Sequence, residues 1–378
     1  MGHVLIAPDK FKGTLTASEV AAHVAAGLIA ARPVRTVSVP VADGGDGTVD
    51  AAIAAGYRRV EMGVRGPTGK AVTASFGLLD GTAVVEAAQA CGLALLRRDG
   101  GRLAPLIAST RGVGELILAA VRMGAKKVIL GIGGTASTDG GTGLVTALGG
   151  TLRDALGNEL TSGGGALPGL ASLDLTELRD LSGVEFLLAS DVSNPLLGPA
   201  GAAAVYGPQK GASAADVAVL ETGLARWADV AEAATGKAAR ESPGAGAAGG
   251  LGFAAQLFLG ARLRPGIALL LEMAAFERHL DGARLVITGE GSLDEQTLHG
   301  KAPAGVARAA AARDPAVPVV AVAGVCSLSQ AQLRAAGFEA AYALTDVEPD
   351  VALCCARPGP LLEEVAGRIA ADWLTDRR

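Results

Sequence analysis

Residues 131–143 read G-I-G-G-T-A-S-T-D-G-G-T-G and follow the apolar run Val128, Ile129, Leu130, which has the character of a buried strand. Glycine at 131, 133, 134 and 140 lets the backbone take positive φ and approach a ligand closely, offering N–H groups to phosphate oxygens. Thr135, Ser137 and Thr138 add hydroxyls, and Asp139 adds a carboxylate. A strand exit leading into a helix is where anion cradles form, and a cradle carrying its own acid suggests a nucleotide whose charge is shared with Mg²⁺. The competing reading is a flexible turn in a chain with 54 glycines.

Three further loops share this density of polar groups. Residues 8–14, P-D-K-F-K-G-T, place Lys10 and Lys12 just before a helix, whose positive end would add to their pull on an anion. Asp43 and Asp46 lie among three glycines at 42–47, a setting that can aim carboxylates at a metal or a substrate hydroxyl. Residues 289–301, G-E-G-S-L-D-E-Q-T-L-H-G-K, gather Glu290, Asp294, Gln296, Thr297 and Lys301 between a strand and a helix. In mid-chain, Asp191 and Asn194 follow the apolar run 186–189, and 206–211 read Y-G-P-Q-K-G.

The elements that must position these loops follow from periodicity. Residues 4–7 are apolar and predict a buried strand; a helix should start at Thr16, with Glu19 completing a capping box, and stop before Pro33. A second strand is expected at 36–41, and a helix ending at Gly56. The pattern then changes to antiparallel strands at 58–64, 71–79 and 82–86, with Asp80-Gly81 as the hairpin turn. Parallel-type punctuation returns with a strand at 284–288, a loop at 289–302, Pro303 in the first turn of a helix, strands at 318–325 and 341–345, and a closing helix to Trp373. The expected fold is therefore α/β. A doubly wound, mainly parallel sheet domain from 1–57 and 283–378 is interrupted by an inserted α/β domain, 58–282, with some antiparallel strands, and the active site should lie in the cleft between them. In such sheets ligands sit beyond the carboxyl ends of the strands, where the polar loops fall.

Composition excludes several classes. At 378 residues two domains are expected. A net charge of −5, 3% aromatic residues and a pI near 5.5 argue against nucleic acid. Mean hydropathy is +0.38, yet no apolar run approaches the roughly 18 residues of a membrane span. Cys91, Cys326, Cys354 and Cys355 show no metal-finger spacing and predict reduced thiols in a cytoplasmic protein. Residues 63–70 only mimic a phosphate-binding P-loop, because five residues separate the glycines and Ala71 stands where Ser or Thr should be. The dinucleotide pattern beginning at Gly131 lacks its downstream acid. The four histidines are scattered without triad spacing.

Taken in order, P-D-K-F-K-G-T-L-T-A-S-E-V (8–20), V-A-D-G-G-D-G-T (41–48), S-T-R-G-V-G-E-L-I (109–117), I-G-G-T-A-S-T-D-G-G (132–141), D-V-S-N-P-L-L-G-P (191–199), Y-G-P-Q-K-G-A (206–212), P-G-A-G-A-A-G-G (243–250) and G-E-G-S-L-D-E-Q-T-L-H-G-K (289–301) resemble the bacterial type I glycerate kinases over nearly the whole chain. The resemblance implies ATP- and Mg²⁺-dependent phosphorylation of D-glycerate, leaning to the 2-hydroxyl, with the 3-hydroxyl as the alternative. It carries function onto Lys12, Asp43, Asp46, Thr135, Asp139, Asp191, Asn194, Glu290, Asp294, Gln296 and Lys301. Asp46 stands where glutamate is frequent, Ser190 where cysteine is, and Ser292 where arginine often sits, with Lys10 as a replacement cation.

Phosphoryl transfer asks mainly for positioning and for neutralising charge on the transferred group. On that basis Asp43 is the expected base, with Asp191 second. Lys12 and Lys301 are expected on phosphate or substrate carboxylate, and Lys10, Asp46, Asn194, Gln296 and Thr297 on substrate. Gly133, Gly134, Thr135, Ser137, Asp139, Gly140 and Glu290 are expected on the nucleotide, and Asp191 and Asp294 on Mg²⁺. A nicotinamide-dependent reductase would leave the acidic loops unexplained, and a non-catalytic sugar-acid binding protein would be expected to be exported. Partners should be small molecules, without nucleic acid or membrane; monomer and homo-oligomer both stay open.

Overall fold

The computed structural model describes residues 2–98, 102–298 and 300–375. In chain order the strands are β1 (His3–Pro8), β2 (Thr36–Ser38), β3 (Arg58–Arg65), β4 (Ala71–Leu79), β5 (Thr82–Glu86), β6 (Lys127–Gly131), β7 (Thr151–Arg153), β8 (Ser172–Asp174), β9 (Glu185–Ala189), β10 (Arg262–Arg264), β11 (Ala283–Leu293), β12 (Val319–Cys326) and β13 (Ala340–Ala343). The chain forms two compact units, one of Met1–Asp43, Asp50–Gly56 and Ile267–Arg378, the other of Gly44–Val49 and Tyr57–Gly266.

The first unit is built on a wholly parallel sheet of order β13-β12-β11-β1-β2. Its inner strands β1 and β12 are mainly apolar and buried because both faces are covered. Val4 and Ile6 of β1 point to one side, against Val20, Val24 and Leu28 of the helix Ala17–Ala31 and Leu362, Val365 and Ile369 of the helix Pro358–Trp373. Leu5 and Ala7 point to the other, against Ile267, Phe276, Val306 and Phe338. Each large side chain buried in this way contributes roughly 1.5–3 kcal/mol. The first helix opens as its sequence demands: Glu19 N–H donates to Thr16 Oγ1 (3.2 Å) and Thr16 N–H to Glu19 Oε2 (2.8 Å).

Three boundaries differ from those read in the sequence. The regular strand β2 stops at Ser38, although Val39 N–H and Val41 N–H still donate to Ile6 and Pro8 carbonyls of β1; Pro40 between them has no N–H and interrupts the ladder on this edge strand. Strand β11 runs on to Leu293, because residues 289–293 keep pairing with β12 as far as Leu293 with Cys326. Only glycine fits at 289, where a Cβ would meet Val322 O at 2.0 Å. The second junction between units falls after Gly266, earlier than 282, since Ile267, Phe276 and Leu280 belong to the core of the first unit.

The second unit carries a six-stranded sheet of order β10-β9-β6-β5-β4-β3, in which β3, β4 and β5 are antiparallel and the rest parallel. Asp80 and Gly81 turn the hairpin with φ of 45° and 74°, the left-handed pair that a two-residue turn needs. Strands β7 and β8 form a separate antiparallel ribbon. Fully buried Trp227 anchors the core, stacked on Phe258 and edge-on to Phe253. The architecture is thus α/β, mainly parallel with some antiparallel strands. Among the described residues no helix is long and apolar enough to cross a membrane.

Candidate active site

Within the first unit, taken by itself, the chain visits its sheet in the order 2-1-3-4-5. The direction of winding therefore reverses between β1 and β11, and the crevice beyond their carboxyl ends is where such sheets bind ligands. Asp9 and Lys10 leave β1 at this point, and Glu290 sits on β11 beside them; Asp9 N–H donates to Gly289 O at 2.8 Å, tying the two exits together. Asp9 is 7% exposed and Glu290 9%. Asp9 Oδ1 accepts the Lys10 N–H at 2.7 Å and lies 3.8 Å from Lys10 Nζ. Burial raises the Asp9 carboxyl to about 7; Lys10 opposes the rise, and the charges of Asp43 and Glu290 add to it.

Glu290 is held from two sides. Thr297 donates its hydroxyl to Oε1 at 2.6 Å, and Lys301 Nζ lies 3.3 Å from Oε2. Burial still pushes its carboxyl upward, with Thr297 and Lys301 opposing. Lys301 is also 3.7 Å from Asp294 Oδ1, so one ammonium bridges two acids at the N-terminus of the helix Ala302–Ala311. Asp294 Oδ1 accepts Gln296 N–H at 2.9 Å, and Gln296 is exposed. Lys12 projects from a tight turn pinned by buried Phe11, whose carbonyl accepts the N–H groups of Thr14 and Leu15. This edge combines three lysines with four acids, a set suited to binding anions and moving a proton.

In the second unit, the glycine loop after β6 is mostly interior. Gly133 N–H donates to Gly44 O, Ala136 N–H to Cys91 O and Gly140 N–H to Gly249 O, so these amides are spent on the protein itself. Asp139, wholly buried, accepts Gly141 N–H on Oδ1 and Gly143 N–H, Thr110 N–H and Thr110 hydroxyl on Oδ2, at 2.8–3.1 Å. Burial raises its carboxyl despite these donors. Lys210 reaches in to donate to Ser137 O at 2.5 Å and Thr135 Oγ1 at 3.4 Å, and Trp227 donates to Gly140 O. Thr135, Ser137, Asp139 and Gly140, expected on the nucleotide, are all buried in this unit. Only Gly133 and Gly134 reach the surface, and Asp46 lies over Gly134, where a Cβ would meet its Oδ1 at 2.1 Å.

Asp191 is exposed after β9, with Oδ1 accepting Gly266 N–H at 3.1 Å. Asn194, expected on substrate, donates its amide N–H to Ala200 O and accepts the Tyr206 hydroxyl on Oδ1.

The model of the glycerate kinase family matches residues 4–374. The chain belongs to the glycerate kinase family. It is 47% identical to a glycerate kinase of Bacillus subtilis (strain 168) and 44% identical to a glycerate 2-kinase of Escherichia coli (strain K12), in each case over 90% of both chains. A crystal structure of a protein assigned as glycerate kinase 2 from Salmonella typhimurium LT2 superposes with a TM-score of 0.81 at 39% identity, covering 99% of this chain and 100% of that one.

This glycerate kinase holds functional candidates that residue spacing did not single out. Asp9 looked like one more charge after a strand; only the neighbouring exit of β11 shows it to be buried among acids. Lys210 lay in an unremarkable Y-G-P-Q-K-G run, yet it is 3% exposed, and burial lowers its ammonium to about 8. Thr297, expected on substrate, is 0% exposed and orients Glu290 instead. His299 lies outside the described residues.

Proposed function

We propose that this glycerate kinase transfers the γ-phosphoryl group of ATP to the 2-hydroxyl of D-glycerate, with Mg²⁺, yielding 2-phosphoglycerate and ADP. The observation that carries this reading is the lysine and carboxylate array at the switch point of the parallel sheet, with Lys301 set between Glu290 and Asp294. Similarity to a protein named glycerate 2-kinase supports the choice of hydroxyl. Lys10, Lys12 and Lys301 supply positive charge for the glycerate carboxylate and the phosphates, and Gln296 and Asp46 supply polar contacts. Gly133 and Gly134 are the accessible part of the glycine loop for a phosphate.

Mg²⁺ takes oxygen ligands, keeps several waters and binds through one or two carboxylates plus phosphates. The donors at hand fit that chemistry. Asp294 has Oδ2 accepting nothing from any described residue. Among the described residues no group of three His, Cys, Asp or Glu side chains could hold a metal, so the remaining ligands would be phosphate oxygens and water. When bound, the ion would offset negative charge developing on the transferred group. The proton of the attacking hydroxyl passes to a carboxylate.

The test is phosphorus NMR of the product formed from ATP, Mg²⁺ and D-glycerate, read before any coupling enzyme is added. A 2-phosphate is expected. A 3-phosphate would correct the regiochemistry alone, and no glycerate-dependent turnover would overturn the reading. Glycerol should react poorly, because a neutral triol leaves the lysines without their anionic partner.

A further inference from the structure

The proposed transfer needs one group to receive a proton, and the acids at the sheet edge are not equivalent. Asp43 is half-buried in the loop after β2, and Glu290 has both carboxylate oxygens engaged, one by the Thr297 hydroxyl and one by Lys301. Asp294 is pinned by Lys301 and the Gln296 N–H through a single oxygen. Asp9 differs from all of these. It leaves the central strand at the reversal of winding, its backbone is tied to β11 through Gly289 O, and its Oδ1 is fixed by the Lys10 N–H. Its Oδ2 accepts no hydrogen bond from any described residue, although the side chain is only 10% exposed. A largely buried carboxyl held through one oxygen, with the other unengaged, has the geometry of a proton acceptor.

Resting on the phosphoryl-transfer reading above, we propose that Asp9 is the catalytic base, and that Asp43 acts on it through its charge. The hydroxyl oxygen of glycerate bonds to the γ-phosphorus, its O–H bond breaks with the proton passing to Asp9 Oδ2, and the bond from the γ-phosphorus to the bridging oxygen breaks with its electron pair leaving on ADP. The charged groups facing Asp9 are Lys10 on its own loop, Asp43 after β2 and Glu290 on β11, the last paired with Lys301. Burial with Asp43 and Glu290 places the Asp9 carboxyl at about 7, where a base combines a useful ionised fraction with a strong pull on the proton.

The experiment measures kcat against pH for the wild type, Asp9→Asn and Asp43→Asn with ATP, Mg²⁺ and D-glycerate. The wild type should lose activity below a midpoint near 7. Asp9→Asn should lower kcat by roughly 10²- to 10⁴-fold and abolish that limb, while leaving KM for ATP within a few-fold. Asp43→Asn should keep the limb but move it to lower pH, because one of the charges raising the Asp9 carboxyl is gone. A limb that survives in Asp9→Asn, or vanishes in Asp43→Asn, overturns the assignment. Circular dichroism and ATP binding establish that each variant is folded, and Asp9→Glu should restore part of kcat with a displaced limb. Wild-type protein without glycerate-dependent turnover would instead sink the functional reading. In that case a carbon-NMR titration of the Asp9 carboxyl still tests whether it ionises near 7.

Discussion

Replacing Asp9 with asparagine should stabilise this kinase above neutral pH. In the unfolded chain Asp9 ionises at its ordinary 3.8, whereas in the folded protein burial holds it at about 7. Between those values the folded state binds a proton that the unfolded state has lost, so stability falls as pH rises through the window and is level above it. At about 1.4 kcal/mol per pH unit, the displacement, which already includes the opposing pull of Lys10, corresponds to roughly 4 kcal/mol, an upper bound because local relaxation absorbs part of the cost. Asparagine keeps an oxygen to accept the Lys10 N–H and carries no charge. The variant should therefore match the wild type near pH 4 and exceed it by about 1–4 kcal/mol at pH 8. Urea unfolding of both proteins at pH 4.5, 6 and 8, followed by tryptophan fluorescence and circular dichroism, measures the difference. A gap that does not widen with pH would refute the argument, and with it the placement of Asp9 in a low-dielectric, acid-rich position. A gain in stability accompanied by loss of turnover is the expected mark of a group kept for function at the expense of the fold.

Asp139→Ala removes the single acceptor of four buried donors and should cost about 3–5 kcal/mol, read as a lowered denaturation midpoint. Lys301→Ala leaves Glu290 and Asp294 facing each other without their shared cation; turnover should fall by roughly two to three orders of magnitude with the fold retained, measured by initial rates and circular dichroism. Lys12→Ala, at an exposed turn, should leave unfolding unchanged within about 0.5 kcal/mol while raising KM for an anionic substrate, as steady-state kinetics would show. Gly289→Ala should destabilise β11 by several kcal/mol, since its methyl group meets Val322 O; a variant with a wild-type unfolding curve would contradict that close approach.

Local signals were strong where one short segment contains the whole physical cause. The capping box of Thr16 and Glu19, the Asp80-Gly81 turn and the unbroken apolar runs of β1 and β6 each state their own structure, because the hydrogen bonds, φ angles and burial involved lie within a few residues. The eight ordered motifs likewise reveal the family. Tertiary structure alone decided which polar groups are buried against the protein and which stay accessible. Asp139, Thr135 and Ser137 read as a phosphate site because glycine-rich, hydroxyl-rich loops serve both purposes; the donors that occupy Asp139 come from Thr110, 29 positions away, and Lys210 arrives from 73 positions beyond Ser137. Strand β11 outran its expected end because its partner β12 supplies the pairing. Asp9 acquired its distinct chemistry because the order of strands brings β11 against β1, across 280 residues of sequence, and burial beside Glu290 and Asp43 is a property of that meeting and of no single segment.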